Sequence, residues 1–243
     1  VTAIIVAAGQ GARLAGETEQ IPKTLLPYGE GTLLSTILGN LAAAGVEDFV
    51  VVIGYRGEMI RDYLAEHKDF GREIRIVENP EWRRGNGLSV AAARGALEAE
   101  PALLSMSDHL VEPRALRAVV DTGGDASLLL TDPDVDGVFD IPDATKVLRE
   151  GRRILDIGKG LTSYNAIDCG IFRLGSDFFD ALEHQIAAGR DSISDGARLL
   201  IEDGRFESLP LPPGCAWIDV DTPAAYGHAV SLRERFGALS RVP

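Results

Sequence analysis

A handful of residues in this chain have the types and spacing needed to handle phosphate and a divalent cation. Ala7-Ala8-Gly9-Gln10-Gly11-Ala12-Arg13-Leu14 leaves an apolar run. At Gly9 and Gly11 the backbone can approach a phosphate and aim successive N–H groups at it, with Ala8 in the same turn, and Arg13 can fork two phosphate oxygens. Lys23, after Pro22, lies in a loop long enough to fold back over a nucleotide. Asp108 follows another apolar run, and Asp219 and Asp221 stand near the far end of the chain. Magnesium takes one or two carboxylates together with phosphate oxygens and water, so acids converging from distant segments suit Mg²⁺. In a strand, Asp219 and Asp221 would share a face. Asp219 is the preferred ligand, because Asp221-Thr222-Pro223 also reads as a helix cap.

Two other phosphate motifs fit less well. A dinucleotide fingerprint needs a third glycine near Leu14 and an immediate helix, whereas Ala15 to Pro22 is polar and loop-like. A Walker A loop needs Gly-Lys-Ser/Thr, which is absent. Dehydrogenase and P-loop ATPase are disfavoured accordingly.

The elements that must position these residues follow a strand–helix rhythm. Ala3–Ala8, Phe49–Ile53, Ile74–Glu78 and Ala102–Met106 read as buried strands. Helices are predicted from Leu33 to a stop at Gly45, over Glu58–His67 and over Leu88–Glu98. Such alternation through about residue 120 predicts an α/β fold, Rossmann-like, with a mixed, mostly parallel sheet flanked by helices. Beyond it, Lys146–Arg149 and Ile154–Ile157 read as a hairpin turned at Glu150-Gly151. A strand over Ala166–Arg173, helices over Phe178–Ala188 and Ser192–Glu202, a strand over Phe206–Leu209 and a closing helix after Pro223 follow. The expectation is a single domain over 1–243, with a nucleotide-binding half (1–120) and an acceptor-binding half (121–243) that extends the same sheet and adds a small hairpin or lid.

The chain has 243 residues, with 24 Lys and Arg against 37 Asp and Glu and a net charge of −13. That balance disfavours broad contact with nucleic acid or an anionic membrane, so an anionic substrate needs a local cluster of cations. The two cysteines fit neither a disulfide framework nor a zinc spacing, which predicts a reduced, cytoplasmic setting. No apolar run approaches the ~20 residues of a membrane span, so no direct membrane insertion is expected. A chain opening at Val1 and closing at Pro243 reads as a piece of something longer.

Ala7 to Leu14 followed by Pro22-Lys23 resembles the signature of the sugar-phosphate nucleotidyltransferases. The resemblance implies that Arg13 and Lys23 hold the triphosphate and stabilise the leaving pyrophosphate, and that Asp108 and the Asp219–Pro223 segment bind the metal. Arg84-Gly85-Asn86-Gly87-Leu88-Ser89, a turn able to hydrogen-bond a nucleobase edge or simply to start a helix, falls where that family contacts the base. Asn86, Gly87 and Ser89 are carried over on that ground.

Three further stretches sharpen the likeness: Asp143 to Val147, Asp156 to Lys159, and Asn165 to Phe172. With Glu78-Asn79-Pro80-Glu81-Trp82 and Ser107-Asp108-His109, they make nearly the whole chain similar to the CTP:inositol-1-phosphate cytidylyltransferases. That implies CTP and a small phosphorylated polyol, L-myo-inositol 1-phosphate, as substrates and CDP-inositol and pyrophosphate as products, with di-inositol phosphate compounds made downstream. It also implies fusion or handover to a membrane CDP-alcohol transferase. Lys159 would take the acceptor phosphate, Asp168 would face the polyol hydroxyls, and Lys146 is either a further acceptor contact or a hairpin surface charge. Cys169 stands where threonine is expected. The competing acceptors are a sugar 1-phosphate, phosphocholine or a molybdopterin cofactor with another triphosphate. A non-catalytic nucleotide-sugar sensor is the competing class, disfavoured because it has little need of Lys23 and both acids.

Overall fold

The computed structural model describes residues 1–14, 20–124 and 126–237. Residues 15–19 of the predicted loop after Arg13, together with Ser240 to Pro243 at the end, lie outside the described residues.

In chain order, β1 (Thr2–Ala7) leads through single helical turns at Ala12–Leu14 and Lys23–Leu25 into the small hairpin β2 (Pro27–Tyr28) and β3 (Gly31–Thr32). Next come α1 (Leu33–Ala43), β4 (Asp48–Ile53), α2 (Gly57–Glu66), β5 (Glu73–Glu78), α3 (Gly87–Ala93), β6 (Ala102–Met106), β7 (His109–Val111) and α4 (Pro113–Val120). The remainder comprises β8 (Ser127–Asp132), β9 (Lys146–Glu150), β10 (Arg153–Gly158), β11 (Ala166–Leu174), α5 (Ser176–Ala187), α6 (Ile193–Glu202), β12 (Phe206–Pro210), β13 (Trp217–Asp219), α7 (Pro223–Ser231) and α8 (Arg233–Phe236).

Nine strands form one sheet in the order β5-β4-β1-β6-β11-β8-β12-β10-β9, with β9 also paired to β11. Parallel pairing joins β5-β4-β1-β6 and, further along, β8 with β12. Strand β11 runs antiparallel to both β6 and β8, and the hairpin β9–β10 closes the far side. The second half therefore extends the same sheet, but with mixed strand directions. Side chains of β1 alternate between two cores: Ala3, Ile5 and Ala7 join one, Ile4 and Val6 the other. A strand buried on both faces must carry apolar residues at every position, hence the unbroken run read from the sequence.

Local sequence sets the helix starts. The Thr32 hydroxyl accepts from Ser35 N–H at 3.2 Å and Ser35 Oγ accepts from Thr32 N–H at 2.9 Å, a reciprocal cap for α1. Ser192 and Asp195 cap α6 in the same way. Helix α3 is shorter than the predicted Leu88–Glu98: it gives way at Arg94–Ala96 to a tighter turn that contains Gly95, a poor helix interior residue. Strand β8, whose run Leu128-Leu129-Leu130 is fully buried, and helix α4, opened by Pro113, are additions to the predicted elements. A second, two-stranded sheet pairs β7 with β13 and brings Asp219 opposite His109.

The closing helix is tied down by Tyr28, whose buried hydroxyl donates to the Ala229 carbonyl at 2.8 Å. Burial pushes the phenol up to about 12, against the opposing pull of Arg233. Tyr28→Phe is expected to lower unfolding free energy by about 1 kcal/mol at neutral pH. The folded phenol holds its proton more tightly than an unfolded one, near ~10. The stabilisation is therefore complete below ~10 and lost as pH rises through about 12. Urea melts from pH 8 to 12 should show a shallower alkaline decline in the variant.

Candidate active site

Arg13, Lys23, Asp108, Lys159, Asp168, Asp219 and Asp221 line one crevice at the carboxyl ends of β1 and β6, where open α/β sheets bind ligands. Two adjoining cavities open there. One, of about 300 Å³, is walled by Ala8, Gly9, Gly11, Lys23, Trp82 and Ser89. The other, of about 230 Å³, is walled by Asp143, Thr145, Lys159, Asp168, Phe139 and Trp217. Arg13, Asn86, Met106, Asp108 and Asp221 belong to both.

The glycine turn does two different things. A Cβ on Gly9 would meet nothing within 4 Å, so this stretch of backbone is open. Gly11 adopts φ +67°, and a Cβ there would lie 2.7 Å from Lys23 Cβ and 2.9 Å from Lys23 Cδ. The lysine stem thus runs directly against the turn, an approach only glycine permits.

Lys23 is buried, and its ammonium donates to Asp108 Oδ2 at 2.7 Å and to Asp221. Burial alone would lower its pKa, but Asp108, Asp221 and Asp219 together raise it above the ordinary value. Asp108 shows the converse. Burial would raise it, yet Lys23 and His109 hold it well below the carboxylate range. The Val220 N–H donates to the Asp108 carbonyl at 2.8 Å, so backbone as well as charge joins the two acidic segments. Asp221 also receives Arg13, which reaches on to Asp143. Thr222, not Asp221, caps α7 by accepting from Ala225 N–H at 3.1 Å, which settles the helix-cap alternative for Asp221.

Asp219 and Asp168 face the second cavity. Burial, reinforced by Asp108 and Asp221 against the pull of His109, pushes Asp219 up to about 7. Burial pushes Asp168 up to about 6, although its Oδ1 accepts the Gly170 N–H at 2.7 Å. The Asp143, Asp219 and Asp221 carboxylates offer oxygens within 4.8 Å of one another, and so do the ligand atoms of Asp108, His109 and Asp219. Asp219 Oδ1 is buried with no hydrogen-bond partner among the described residues. An orphaned carboxylate oxygen inside a cluster of hard oxygen donors fits a divalent cation of the magnesium type.

Lys159 lines the second cavity and pairs with Asp143 at 3.1 Å. Two predicted contacts fall elsewhere. Lys146 is neither a surface charge nor an open acceptor contact. It is buried, and its ammonium donates to the carbonyls of Lys159, Ala144 and Pro142 at 3.0, 3.2 and 3.4 Å, bracing the loops that present Asp143 and Lys159. Gly87 lines neither cavity: its N–H donates to the Asp191 carbonyl at 2.9 Å, and a Cβ would lie 2.6 Å from that oxygen. Its glycine serves the close passage of the Asp191 loop. Asn86 does not cap α3 with its side chain. Its Oδ1 accepts Ile193 N–H at the start of α6 (3.0 Å), which leaves the amide NH₂ at the junction of the cavities. The Ser89 hydroxyl accepts from Asn79 Nδ2 at 2.9 Å.

Three residues of the site have no role in the sequence reading: Asp143, Trp217, and His109, which is tempting there as a base but, next to a metal aspartate, reads more readily as a packing or supporting group. Asp143 opens a stretch already singled out, and an acid two residues from Thr145-Lys146 was the available signal. His109 hydrogen-bonds Asp108 at 2.8 Å and stacks on Trp217. Burial would lower its pKa, but Asp219, Asp108 and Asp168 raise it to about 9. Cys169 is fully buried in the core, and burial lifts its thiol well above the usual range.

The mixed α/β sheet and this junction of cations and carboxylates define a nucleotidyltransferase. The chain belongs to the family of the MobA-like NTP transferase domain, which matches residues 3–139. It is 35% identical, over 92% of its length and 50% of the relative's, to the bifunctional IPC transferase and DIPP synthase of Rubrobacter xylanophilus. Its identity to the protein of the same name from Aquifex aeolicus is 33%, over 91% of this chain and 49% of that one. The chain therefore spans about half the length of these curated relatives. Among solved structures, the inositol-1-phosphate CTP transferase from T. maritima superposes with a TM-score of 0.86 at 27% identity, covering 97% of this chain and 95% of that one. No described helix is long and apolar enough to cross a membrane.

Gly11→Ala should force the turn out of its left-handed conformation and displace the Lys23 stem. A loss of about 1–2 kcal/mol in urea-measured stability is expected from the backbone alone, with a further loss from the disturbed ion pairs.

Proposed function

We propose that the chain transfers CMP from CTP to L-myo-inositol 1-phosphate, giving CDP-inositol and pyrophosphate. The observation that carries this reading is the shared wall. A cavity beside the glycine turn and a cavity beside Lys159 and Asp168 meet at Arg13, Asp108 and Asp221, with Lys23 behind them. Two anionic reactants placed in these cavities would face each other across that wall. The similarity to an inositol-1-phosphate CTP transferase supports the choice of base and acceptor.

The acceptor phosphate is its own nucleophile. With a second pKa near ~6 it is largely dianionic at neutral pH, so no protein base is needed. One of its oxygens attacks the α-phosphorus in line, the new P–O bond forms, and the α–β bridging bond breaks with its electron pair leaving on pyrophosphate. Repulsion is the obstacle, since each like-charge pair near ~4 Å costs on the order of 4 kcal/mol at an effective dielectric of about 20. Arg13 and Lys23 bind the triphosphate and stabilise the departing pyrophosphate, and Lys159 holds the acceptor phosphate. Asp168 orients the polyol by accepting from its hydroxyls. Asn86 offers its amide NH₂ to the nucleotide, with Ser89 and the backbone of Ala8 and Gly9 completing that wall. Lys146 acts one step back by fixing the Lys159 loop. Asp108 and Asp219, with Asp221 and Asp143 beside them, would hold Mg²⁺, which when bound supplies Lewis-acid neutralisation of phosphate charge. Within one domain, residues 1–120 supply most of the nucleotide cavity and 121–243 most of the acceptor cavity, with Arg13, Asn86, Met106, Asp108 and Asp221 shared between them. Two free cysteines fit a cytoplasmic setting. Half-length coverage of bifunctional relatives is consistent with fusion or handover to a membrane CDP-alcohol transferase.

Pyrophosphate release from CTP, UTP, ATP, GTP and dTTP against inositol 1-phosphate, sugar 1-phosphates, phosphocholine and molybdopterin decides the substrate pair. CTP with inositol 1-phosphate should give the highest kcat/KM, and a tenfold better alternative pair would displace the proposal. Lys23→Ala should lower kcat on the order of 10²-fold or more while circular dichroism stays unchanged. Asp108→Asn should abolish metal-dependent turnover, and full activity of the unaltered chain in excess chelator contradicts the metal reading.

A further inference from the structure

His109 has no part in the chemistry outlined above, yet it is held with unusual care. Its Nδ1 lies 2.8 Å from Asp108 Oδ1; because a carboxylate can only accept, this nitrogen carries the proton. Its Nε2 lies 3.9 Å from Asp219 Oδ2, and the β7–β13 register sets His109 directly across from Asp219. The imidazole is nearly parallel to the Trp217 indole, with an interplanar angle of 8° and centroids 5.8 Å apart. The indole is fixed in turn by its own N–H, which donates to Asp132 at 2.8 Å. Gly170 presses on the ring as well. It adopts φ +73°, and a Cβ there would come within 2.4 Å of the imidazole Cγ and Cδ2. This glycine falls at the irregularity in the β11–β8 pairing between Asp168 and Phe172. An indole, a glycine in a left-handed conformation and a strand pairing thus converge on one ring orientation. In that orientation the ring's two nitrogens face the two carboxylates.

We propose that His109 is a positioning residue. Its clamped ring holds Asp108 and Asp219 in the relative placement at which both can ligate one divalent cation. The inference rests on the reading of these two acids as metal ligands. It goes beyond that reading by giving the placement of the acids a physical cause outside the ligands themselves. Groups that orient metal ligands typically alter metal affinity about 10–100-fold when removed. A histidine that merely fills space would not.

Substitutions separate the two roles, because phenylalanine keeps the stacked ring and loses both nitrogens, whereas asparagine keeps a donor toward Asp108 and loses the ring. Mn²⁺ binding to the full chain, followed by electron paramagnetic resonance of the free ion, is compared for wild type, His109→Phe, His109→Asn and Asp219→Asn, with thermal melts alongside. Positioning predicts that H109F binds Mn²⁺ at least about tenfold more weakly than wild type, with H109N between the two. Pure packing predicts the reverse order, H109F close to wild type and H109N the weakest, and that result overturns the proposal. If H109F does not fold, His109→Leu replaces it: H109N binding more tightly than H109L supports positioning, and equal affinity overturns it. Unchanged binding in Asp219→Asn removes the metal reading itself and this inference with it. Loss in Asp219→Asn with H109F unaffected removes only the inference.

Discussion

The structure depends on mutual neutralisation at the carboxyl edge of the sheet. Lys23 is almost wholly enclosed, and an enclosed ammonium is tolerable only with its charge compensated. Asp108 and Asp221 provide that compensation, and Lys23 in turn allows Asp108 to stay ionised in a place that would otherwise protonate it. Arg13 and Lys159 repeat the pattern on Asp221 and Asp143. The cations assigned to phosphate in the proposed function are thus paired with the carboxylates assigned there to the metal. On that proposal, loading the site would be an exchange of partners, with phosphates taking the cations and a divalent ion taking the carboxylates, so that charges would stay paired.

Such an arrangement demands that segments far apart in the chain be registered to within a hydrogen bond, and the topology does this chiefly with backbone. Strand β6 delivers Asp108, the β7–β13 pair carries Asp219 alongside, and the Val220 amide closes the gap on the Asp108 carbonyl. The inverted strand β11 lies next to β6 and so sets Asp168 beside this junction. Asn86 ties the nucleotide side to the first turn of α6, while Gly85 and Gly87 leave room for the Asp191 backbone to pass. The cavities are therefore held in common rather than by halves able to drift apart.

How much of this could be read from the residues follows from the range of the forces involved. Lys23 lies in a loop without a local pattern and is named through the family resemblance, whereas the glycine turn, Asp108 and the Asp219–Asp221 segment stand out because each follows a buried strand or precedes a helix signal, and such patterns are local. The alternation of strands and helices through Met106 was legible for the same reason. Asp143 was not singled out, because it lies in a long connection without periodicity and becomes significant only where Arg13 and Lys159 meet it. For Lys146 the residues leave open an acceptor contact or a hairpin surface charge, because no local pattern reveals that three carbonyls will surround it. Strand β8 was missed where the strand–helix rhythm changes, although Leu128-Leu129-Leu130 carried the apolar signal. Gly87 was assigned to the ligand when its missing side chain serves another loop; a glycine shows that something comes close, not what.

The overall charge of −13 opposes binding two anions at long range, but screening resolves the conflict. At physiological ionic strength the screening length is about 8 Å, so most of the surface carboxylates are not felt inside the cleft. Local composition governs there, and it is uneven. The wall toward the glycine turn carries Lys23, Arg13 and Arg84 against Asp108 and Asp221, with Arg83 lying over the neighbouring Trp82 at 4.2 Å. The wall toward Trp217 carries Asp140, Asp143, Asp168 and Asp219 against Lys159 and Arg13. A triphosphate suits the first environment, and a polyol rich in hydroxyl donors suits the second, whose carboxylates can only accept. On the proposed function, the acidic balance of this wall would serve both the metal and the hydroxyls of the acceptor, with Lys159 and Arg13 as the cations available to its phosphate.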